Sequence, residues 1–470
     1  MTTHRSFLQT LSDNASLSCE SLRKDITKAL KKQNIKLVVL DDDPTGIQTV
    51  HDCLLLTNSK PENLEKAFND ESPIFYVLTN TRSMSADVAE KVTAEAVKAI
   101  VECNRKQGFK LVFISRSDST LRGHFPLEPD TIRHVLENEQ LPVLTSTYFI
   151  PSFFEAGRYT IDGIHYLKDK DDLIPVSETE FAADSVFGYH HSKLSEYITE
   201  KTHGQVKTEQ IGSLTLDELR RNTVQEILTS LQNLMNKTWI TVDALGYDQL
   251  WKFSAALLKL LGETNAYVVL RTSSSLPRAL SGMGNKALLK REDLISKLGS
   301  GIFIVGSHVK KSSNQLSILL GSKTTKGIEL DVNQLLKEPD TLMISILNEL
   351  KDAKKSKLTP VVFTSREELR YTDIKERLLT GSKISDFLVR IVRELPFEPS
   401  YIVAKGGITS HDILTKGLEI ETATVAGQIL PGVPVVKTAA NHRYPNLPYI
   451  IFPGNVGETD ALMQVLEKLA

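Results

Sequence analysis

Short runs of β-branched and aromatic residues recur along the chain, separated by longer stretches whose apolar positions repeat at helical spacing. Ile35 to Leu40 (IKLVVL), Ile74 to Leu78 (IFYVL), Leu111 to Ile114 (LVFI), Trp239 to Val242 (WITV) and Tyr267 to Leu270 (YVVL) are strand-length. The pattern returns at Ile302 to Val305, Val361 to Phe363, Tyr401 to Val403 and Tyr449 to Phe452. Helices are predicted over Ala86 to Cys103, Leu216 to Lys237, Asp248 to Leu261, Ile384 to Leu395 and Thr459 to Leu469. Alternation of this kind predicts an α/β fold with mostly parallel sheets flanked by helices. A stretch rich in Ser, Gly and Pro (SSSLPRALSGMGNK) separates two such series. The expected organisation is therefore an N-terminal helical extension over 1–34, a first domain over 35–272, a linker region over 273–300 and a second domain over 301–470.

Composition narrows the function classes. A chain of 470 residues with 41% hydrophobic and 24% charged residues suits two or three folded domains rather than a disordered or fibrous protein. Lys plus Arg is 56 and Asp plus Glu is 58, a net charge of −2, so no broad basic footprint for nucleic acid exists. Cys19, Cys53 and Cys103 form no CxxC pair and have no zinc-like spacing with histidine, which fits a reducing compartment. The start, MTTHRSFLQTLSDN, lacks the apolar core of a secretory signal, and no run approaches the ~18 apolar residues of a membrane span. The expectation is a cytoplasmic enzyme with neither nucleic acid nor membrane as partner; a homo-oligomer is compatible with this sequence.

Three strands of the first half end in polar loops. VVLDDDPTG places Asp41, Asp42 and Asp43 at the end of an apolar strand, where open α/β sheets bind ligands. A Mg²⁺ site or a proton acceptor is the functional reading, against a turn whose aspartates merely cap the next helix. SRSDSTLRG puts Arg116, Asp118, Ser119, Thr120 and Arg122 into one loop, a guanidinium fork for an anion beside hydroxyls for sugar-like oxygens. Asn80, Thr81 and Arg82 (TNTRS) follow the strand IFYVL in the same way. One such loop is an ordinary turn; three together favour a shared polar crevice. In EAGRYTIDGIH, Arg158 is a further candidate anion contact, and a hairpin turn is the bland reading.

The second half has glycine-rich counterparts. IVGS leads through Gly306 and Ser307 to Lys310 and Lys311, AKGGITSH follows the strand YIV, and PGNVGETD follows YIIF. Amides freed by glycine suit anionic oxygens such as a phosphate chain, although each pair taken singly is an ordinary turn. No GxxxxGK[ST] occurs, and the GxGxxA match at Gly282, Gly284 and Ala287 follows no strand-like run. A rival reading remains: Asp41, Asp43 and Thr45 fit the DxDxT nucleophile motif of haloacid dehalogenase-like phosphatases. That reading leaves the glycine-rich second half unexplained. A third alternative is a sensor that binds a sugar acid and a nucleotide without turnover.

VVLDDDPTG, TNTRS, SDSTLRGH, AGRYTIDGIHYL, AKGGITSHDIL, ILPGVPVV and FPGNVGETDAL stand in the order of the four-carbon acid sugar kinase family, which the chain resembles over roughly residues 35 to 467. The resemblance implies a sugar-acid-binding N-terminal domain, a nucleotide-binding C-terminal domain and an active site in the interdomain cleft. It implies ATP-dependent phosphorylation of the terminal hydroxyl of threonate, erythronate or a 3-oxo-tetronate, with Mg²⁺. On this resemblance Asp42 and Asp43 are the catalytic candidates, and Arg82, Asp118, Ser119, Thr120, Arg122 and Arg158 the acid-binding ones. Ser307, Gly406, Gly407, Thr409, Ser410, Gly454, Asn455 and Gly457 are the nucleotide-binding candidates. Arg82 and Arg122 are expected to clamp the carboxylate while Ser119 and Thr120 read the hydroxyls. Asn80 stands where the family often has Asp, which bears on substrate identity.

Overall fold

In the computed structural model, which describes residues 17–264, 266–295, 299–366 and 374–469, every strand-length run named above forms a strand. Positions 1–16 of the expected N-terminal extension and 296–298 of the expected linker lie outside the described residues. The chain divides into two units, Met1–Asn285 and Lys286–Ala470.

In the first unit, helix α1 (Leu17–Lys32) precedes β1 (Ile35–Asp41), β2 (Cys53–Leu56), β3 (Ile74–Leu78), β4 (Lys110–Arg116), β5 (Val143–Ile150), β6 (Arg158–Ile161), β7 (Ile164–Asp169), β8 (Asp172–Pro175), β9 (Ile211–Leu214), β10 (Trp239–Val242) and β11 (Tyr267–Thr272). Eight of these form a parallel sheet in the order β2-β3-β1-β4-β11-β5-β10-β9. β1 is buried at every position, as a strand covered on both faces must be. Val38 and Leu40 share one core with Phe75, Phe113, Val97 and Ile100, so the helix Ala86–Gln107 covers that face. At about 1.5 to 3 kcal/mol for each fully buried large apolar side chain, this core holds the β1 to β4 centre rigid. The chain runs from β1 to β3 on one side and then to β4 on the other, so the strand order reverses at β1. In such sheets the loops diverge there and leave a crevice at the carboxyl ends.

Two features differ from the pattern read above, and a third, the EAGRYTIDGIH segment, takes its hairpin reading. The helix expected over Leu216 to Lys237 is two, Leu216–Arg221 and Val224–Asn233, because Thr223 and Glu226 form a capping box that starts the second one afresh. EAGRYTIDGIH is an antiparallel hairpin, β6 with β7, extended by β8 into a small separate sheet. The stretch read as a linker contains helix α2 (Ser275–Leu280), buried at all six positions and part of the first unit.

The second unit contains β12 (Ile302–Val305), β13 (Thr325–Leu330), β14 (Thr359–Thr364), β15 (Ile402–Lys405), β16 (Thr422–Leu430), β17 (Val433–Thr438) and β18 (Pro448–Phe452). Their order is β13-β14-β12-β15-β18-β17-β16, parallel from β13 to β18 and antiparallel beyond. Here the order reverses at β12, and the glycine loops named above follow β12, β15 and β18.

Candidate active site residues in the two units

The aspartate run is divided by burial into three different environments. Asp41 ends β1 directly opposite Arg116 of β4 and is fully buried; Arg116 Nη1 lies 3.2 Å from its Oδ1. Gly46 packs its α-carbon against this carboxyl group, and any side chain at 46 would collide with it. Burial pushes the Asp41 carboxyl up to about 7 even though Arg116 opposes it. Asp42, 1% exposed, accepts from Arg82 Nε at 3.0 Å and Nη2 at 2.5 Å, and from the Ser117 hydroxyl at 2.5 Å. Such a bidentate pair fixes both partners. Asp43, 20% exposed, caps the turn Pro44–Ile47 by accepting from the amide and hydroxyl of Thr45. Its Oδ2 lies 3.6 Å from Arg82 Nη1. Burial works against its charge, yet Arg82 and the Thr45 hydroxyl hold the Asp43 carboxyl below the usual range.

The TNTRS turn is anchored from below. Asn80 adopts φ +53°, and the Thr81 hydroxyl donates at 2.5 Å to Glu128, whose other oxygen accepts from Arg271 Nη1. Arg271 also donates to the Ser115 hydroxyl at 2.8 Å. His124 Nε2 donates to the carbonyls of Thr81 and Met84, both at 3.1 Å. Three strand-end loops are thus tied by buried charged groups, an arrangement that holds only when each member is satisfied.

In the DSTLRG loop, Asp118 accepts from the Thr120 hydroxyl and from Arg122 Nε at 2.7 Å. Burial opposes its charge, but Arg122 and Arg82 hold the carboxyl far below the usual range. Ser119 is held by its carbonyl, which accepts from His165 Nε2 of β7 at 2.8 Å, while His165 Nδ1 pairs with the Thr160 hydroxyl at 3.0 Å. Burial lowers the His165 imidazole to about 4, so it is a neutral donor. Tyr189 and Tyr197 donate to the Thr120 and Leu121 carbonyls, each at 2.7 Å. Arg122 lies over the Phe181 ring at 4.9 Å, and its Nη1 is 3.7 Å from Asp184. Arg158 donates from Nη1 to the Ala156 carbonyl, and its buried Nε has no partner among the described residues.

The sequence candidates sit in different surroundings. Arg82, expected to clamp a carboxylate, has its fork engaged by Asp42, and the Thr120 hydroxyl is engaged by Asp118. Asp43, Arg122 and Arg158 retain unsatisfied polar atoms or open geometry. Arg271, Glu128, His165 and Ser117 belong to the site without standing out in the sequence; for Arg271 the available signal is a charged residue inside an otherwise apolar strand, YVVLRT.

In the second unit the three glycine loops pack on one another. Any side chain at Gly306 would strike the Thr409 hydroxyl, Gly406 (φ +114°) sits against Ser307, and Gly454 against the Ser307 hydroxyl. The Ser312 hydroxyl donates to the Gly454 carbonyl at 3.0 Å and lies 2.9 Å from Ser307 Oγ. Gln315 donates to the carbonyls of Val456 and Glu458. Ser410 donates to the Ala404 carbonyl and accepts from Tyr449 through its own carbonyl, so its role here is to hold the turn. Ser307, Gly406, Gly407, Thr409 and Gly454 are therefore neighbours; Asn455 and Gly457 lie in the same loop as Gly454, and Gly457 has φ +85°.

The residues fit a polyphosphate on one observation: glycine at 306, 406 and 454 lets the three loops close on Ser307 and Thr409, which gathers these hydroxyls beside the glycine backbone, a donor set suited to phosphate oxygens. For Mg²⁺, Asp43 fits as a single carboxylate donor, while both oxygens of Asp42 are taken. Among the described residues no group of three or more His, Cys, Asp or Glu is arranged around a common point, and no helix is long and apolar enough to cross a membrane.

The chain matches the Sugar-binding N-terminal domain family over residues 37–280 and the Nucleotide-binding C-terminal domain family over residues 302–462. It is 22% identical to D-erythronate kinase of Heliobacterium modesticaldum over 465 residues, covering 92% of this chain and 97% of the relative. Among solved structures it is similar to Haemophilus influenzae protein HI1011, with TM-score 0.65 and 15% identity over 92% of this chain and 100% of that one. A protein from Salmonella typhimurium LT2 aligns with TM-score 0.67 and 16% identity over 93% of this chain and 99% of that one. These two likenesses bear on the fold, a two-domain α/β architecture. With both of its domain families matched in order along the chain, the protein belongs to the four-carbon acid sugar kinase family.

Proposed function

We propose that the chain transfers the γ-phosphoryl group of ATP to the terminal hydroxyl of a four-carbon sugar acid of the erythronate, threonate or 3-oxo-tetronate type. The observation that carries this reading is the sorting of charge around the DSTLRG loop. Arg122 and Arg158 flank Asp118 with guanidinium nitrogens left over, and the aspartate run beside them exposes only Asp43. A small acid with a carboxylate at one end and an alcohol at the other matches that pattern.

In this scheme Arg122 and Arg158 receive the carboxylate, with Arg82 and Asp118 as the walls of the site. Ser119 and Thr120 position hydroxyls through a loop that His165 and Tyr189 keep fixed. Asp43 accepts a hydrogen bond from the terminal hydroxyl and takes its proton as the new P–O bond forms. Asp42 holds Arg82, and through it the Asp43 carboxylate, in place. Because the transition state is loose, a carboxylate of low basicity suffices, and positioning and charge neutralisation matter more than base strength. Mg²⁺ would neutralise the phosphate charges, with Asp43 as the protein group suited to it. The nucleotide is assigned to Ser307, Gly406, Gly407, Thr409, Ser410, Gly454, Asn455 and Gly457 of the second unit.

The phosphatase alternative requires Asp41 as nucleophile. Its carboxyl group is wholly buried, covered by Gly46 and paired with Arg116, so phosphorus has no line of approach. A coupled ADP-release assay across four- and five-carbon sugar acids tests the proposal. ADP formed only when an acid is present supports it; phosphate released from sugar phosphates without nucleotide, or binding without turnover, contradicts it.

A further inference from the structure

β15 is apolar except for its last residue, a lysine. Lys405 is 0% exposed. Its Nζ donates to the Pro453 carbonyl at 2.6 Å and lies 4.0 Å from the centroid of the Phe452 ring. Pro453 opens the loop that contains Gly454, Asn455 and Gly457, and Lys405 itself precedes Gly406 and Gly407. One ammonium group therefore ties two of the three glycine loops together from beneath.

No carboxylate pairs with this cation among the described residues. The ionisable groups on the surrounding elements are Lys310 and Lys311 of the helix Lys310–Leu320, His308 and Arg366, His411 and Asp412 of Gly407–Asp412, and Glu458 and Asp460 beyond the loop. His308 pairs with the Thr364 hydroxyl, Arg366 donates to the Val305 and Ser307 carbonyls, and Asp412 is held by Ser385 and Lys416. The charge that acts on Lys405 is that of Lys311, and it is of like sign. A buried, uncompensated ammonium is costly, and a polyanion bound above it removes that cost.

We propose that Lys405 is a positioning residue of the nucleotide site, fixing the Pro453 to Gly457 loop against the Gly406 turn, and that it takes up a proton from solvent when a nucleoside polyphosphate binds. The proposal rests on the assignment of the nucleotide to the second unit. Burial first, and Lys311 second, bring the free lysine down to about 7. Above that pH the free enzyme is largely neutral at this position and the complex is charged. Nucleotide affinity therefore falls as pH rises through 7 to 9, in step with the added energy of protonating the lysine.

Calorimetric titration of the full chain with ADP at pH 8, in buffers of different ionisation enthalpy, reads the proton directly. At that pH the phosphates of ADP are already ionised. The wild type is expected to take up close to one proton per ADP. Lys405→Met should abolish the uptake and weaken ADP about tenfold or more; Lys405→Arg, permanently charged, should bind ADP without uptake. Binding of ADP by the wild type with no proton uptake overturns the proposal, as does a Lys405→Met protein with unchanged uptake and affinity. If Lys405→Met fails to fold, the wild-type uptake and the Arg variant decide. Absence of ADP binding by the wild type is a separate outcome, which refutes the nucleotide assignment and this inference with it.

Discussion

Replacing Arg82 by Met removes a guanidinium that makes two hydrogen bonds to Asp42, at 3.0 and 2.5 Å, and lies 3.6 Å from Asp43. Asp42 is 1% exposed, so its charge cannot be returned to water. What remains to it is the Ser117 hydroxyl at 2.5 Å and Arg116 at 3.8 Å. Removing one partner of a buried pair costs about 3 to 5 kcal/mol. Arg82→Met should thus lower the urea midpoint of the first unit clearly, and it should also reduce kcat because Asp43 loses its orienting cation. Asp42→Asn in the same chain removes the orphaned charge, so the double variant should be more stable than the sum of the two single effects by about 1.5 kcal/mol or more. Urea unfolding of the four proteins, followed by fluorescence, measures this coupling. Additive effects, with a coupling below about 0.5 kcal/mol, would refute the claim that Asp42 acts by holding Arg82.

The same geometry separates the two neighbouring aspartates and the groups beneath them. Asp43→Asn keeps an oxygen for the Thr45 cap, so its melting temperature should stay near wild type while kcat falls about a hundred- to ten-thousand-fold; a smaller loss in a steady-state assay removes Asp43 as the proton acceptor. Gly46→Ala should destabilise by about 1 to 3 kcal/mol and cut kcat, because the new methyl group must displace the Asp41 carboxyl and with it the turn that carries Asp43. On acidification from pH 6.5 to 5, His165 should contribute a loss of about 1.5 kcal/mol of stability, which Asp41, raised to about 7 by burial, offsets by a gain of similar size. The folded value of His165 is about 4 against 6.5 unfolded, so the unfolded chain binds the extra proton and the His165 contribution rises with pH across that window. His165→Gln, which retains a donor for the Ser119 carbonyl, lacks the loss but keeps the Asp41 gain, so its stability relative to wild type should rise by about 1.5 kcal/mol from pH 6.5 to 5 in denaturant titrations; a difference that does not change with pH means the imidazole is not the group responsible.

Strand positions were legible because buried parallel strands are runs such as IKLVVL, whose apolar character has no other use. Strands of mixed composition were not. Val143–Ile150 (VLTSTYFI) carries Thr and Ser that are buried in the sheet by hydrogen bonds no periodicity predicts, as when Arg133 donates to the Thr147 hydroxyl at 2.8 Å. The stretch around α2 reads as linker because Ser, Gly and Pro are frequent in it, whereas Ser274 accepts from Arg116 and Ser275 from the Phe154 amide, so polarity there is matched inside the unit. At the site, the loops could be found from motifs, since charge at a strand end has few structural uses. Which charge faces solvent could not. DDD reads as three equivalent carboxylates, and only pairing across β1 and β4 separates a buried Asp41, a clamped Asp42 and a partly exposed Asp43. The same limit hid Lys405, which reads as one residue of AKGG until the fold places it under Pro453.

Under the proposed function, one chain joins an acid bound by the first unit to the terminal phosphoryl group of a nucleotide bound by the second. Incubation of the purified protein with erythronate, threonate or a 3-oxo-tetronate and ATP, with the products followed by phosphorus NMR, tests this directly. The expected products are ADP and a phosphomonoester on the terminal carbon of one of these acids, formed in equal amounts and lost together in Asp43→Asn. Inorganic phosphate as the sole new phosphorus species, or a phosphate ester that forms equally well in Asp43→Asn, would contradict it.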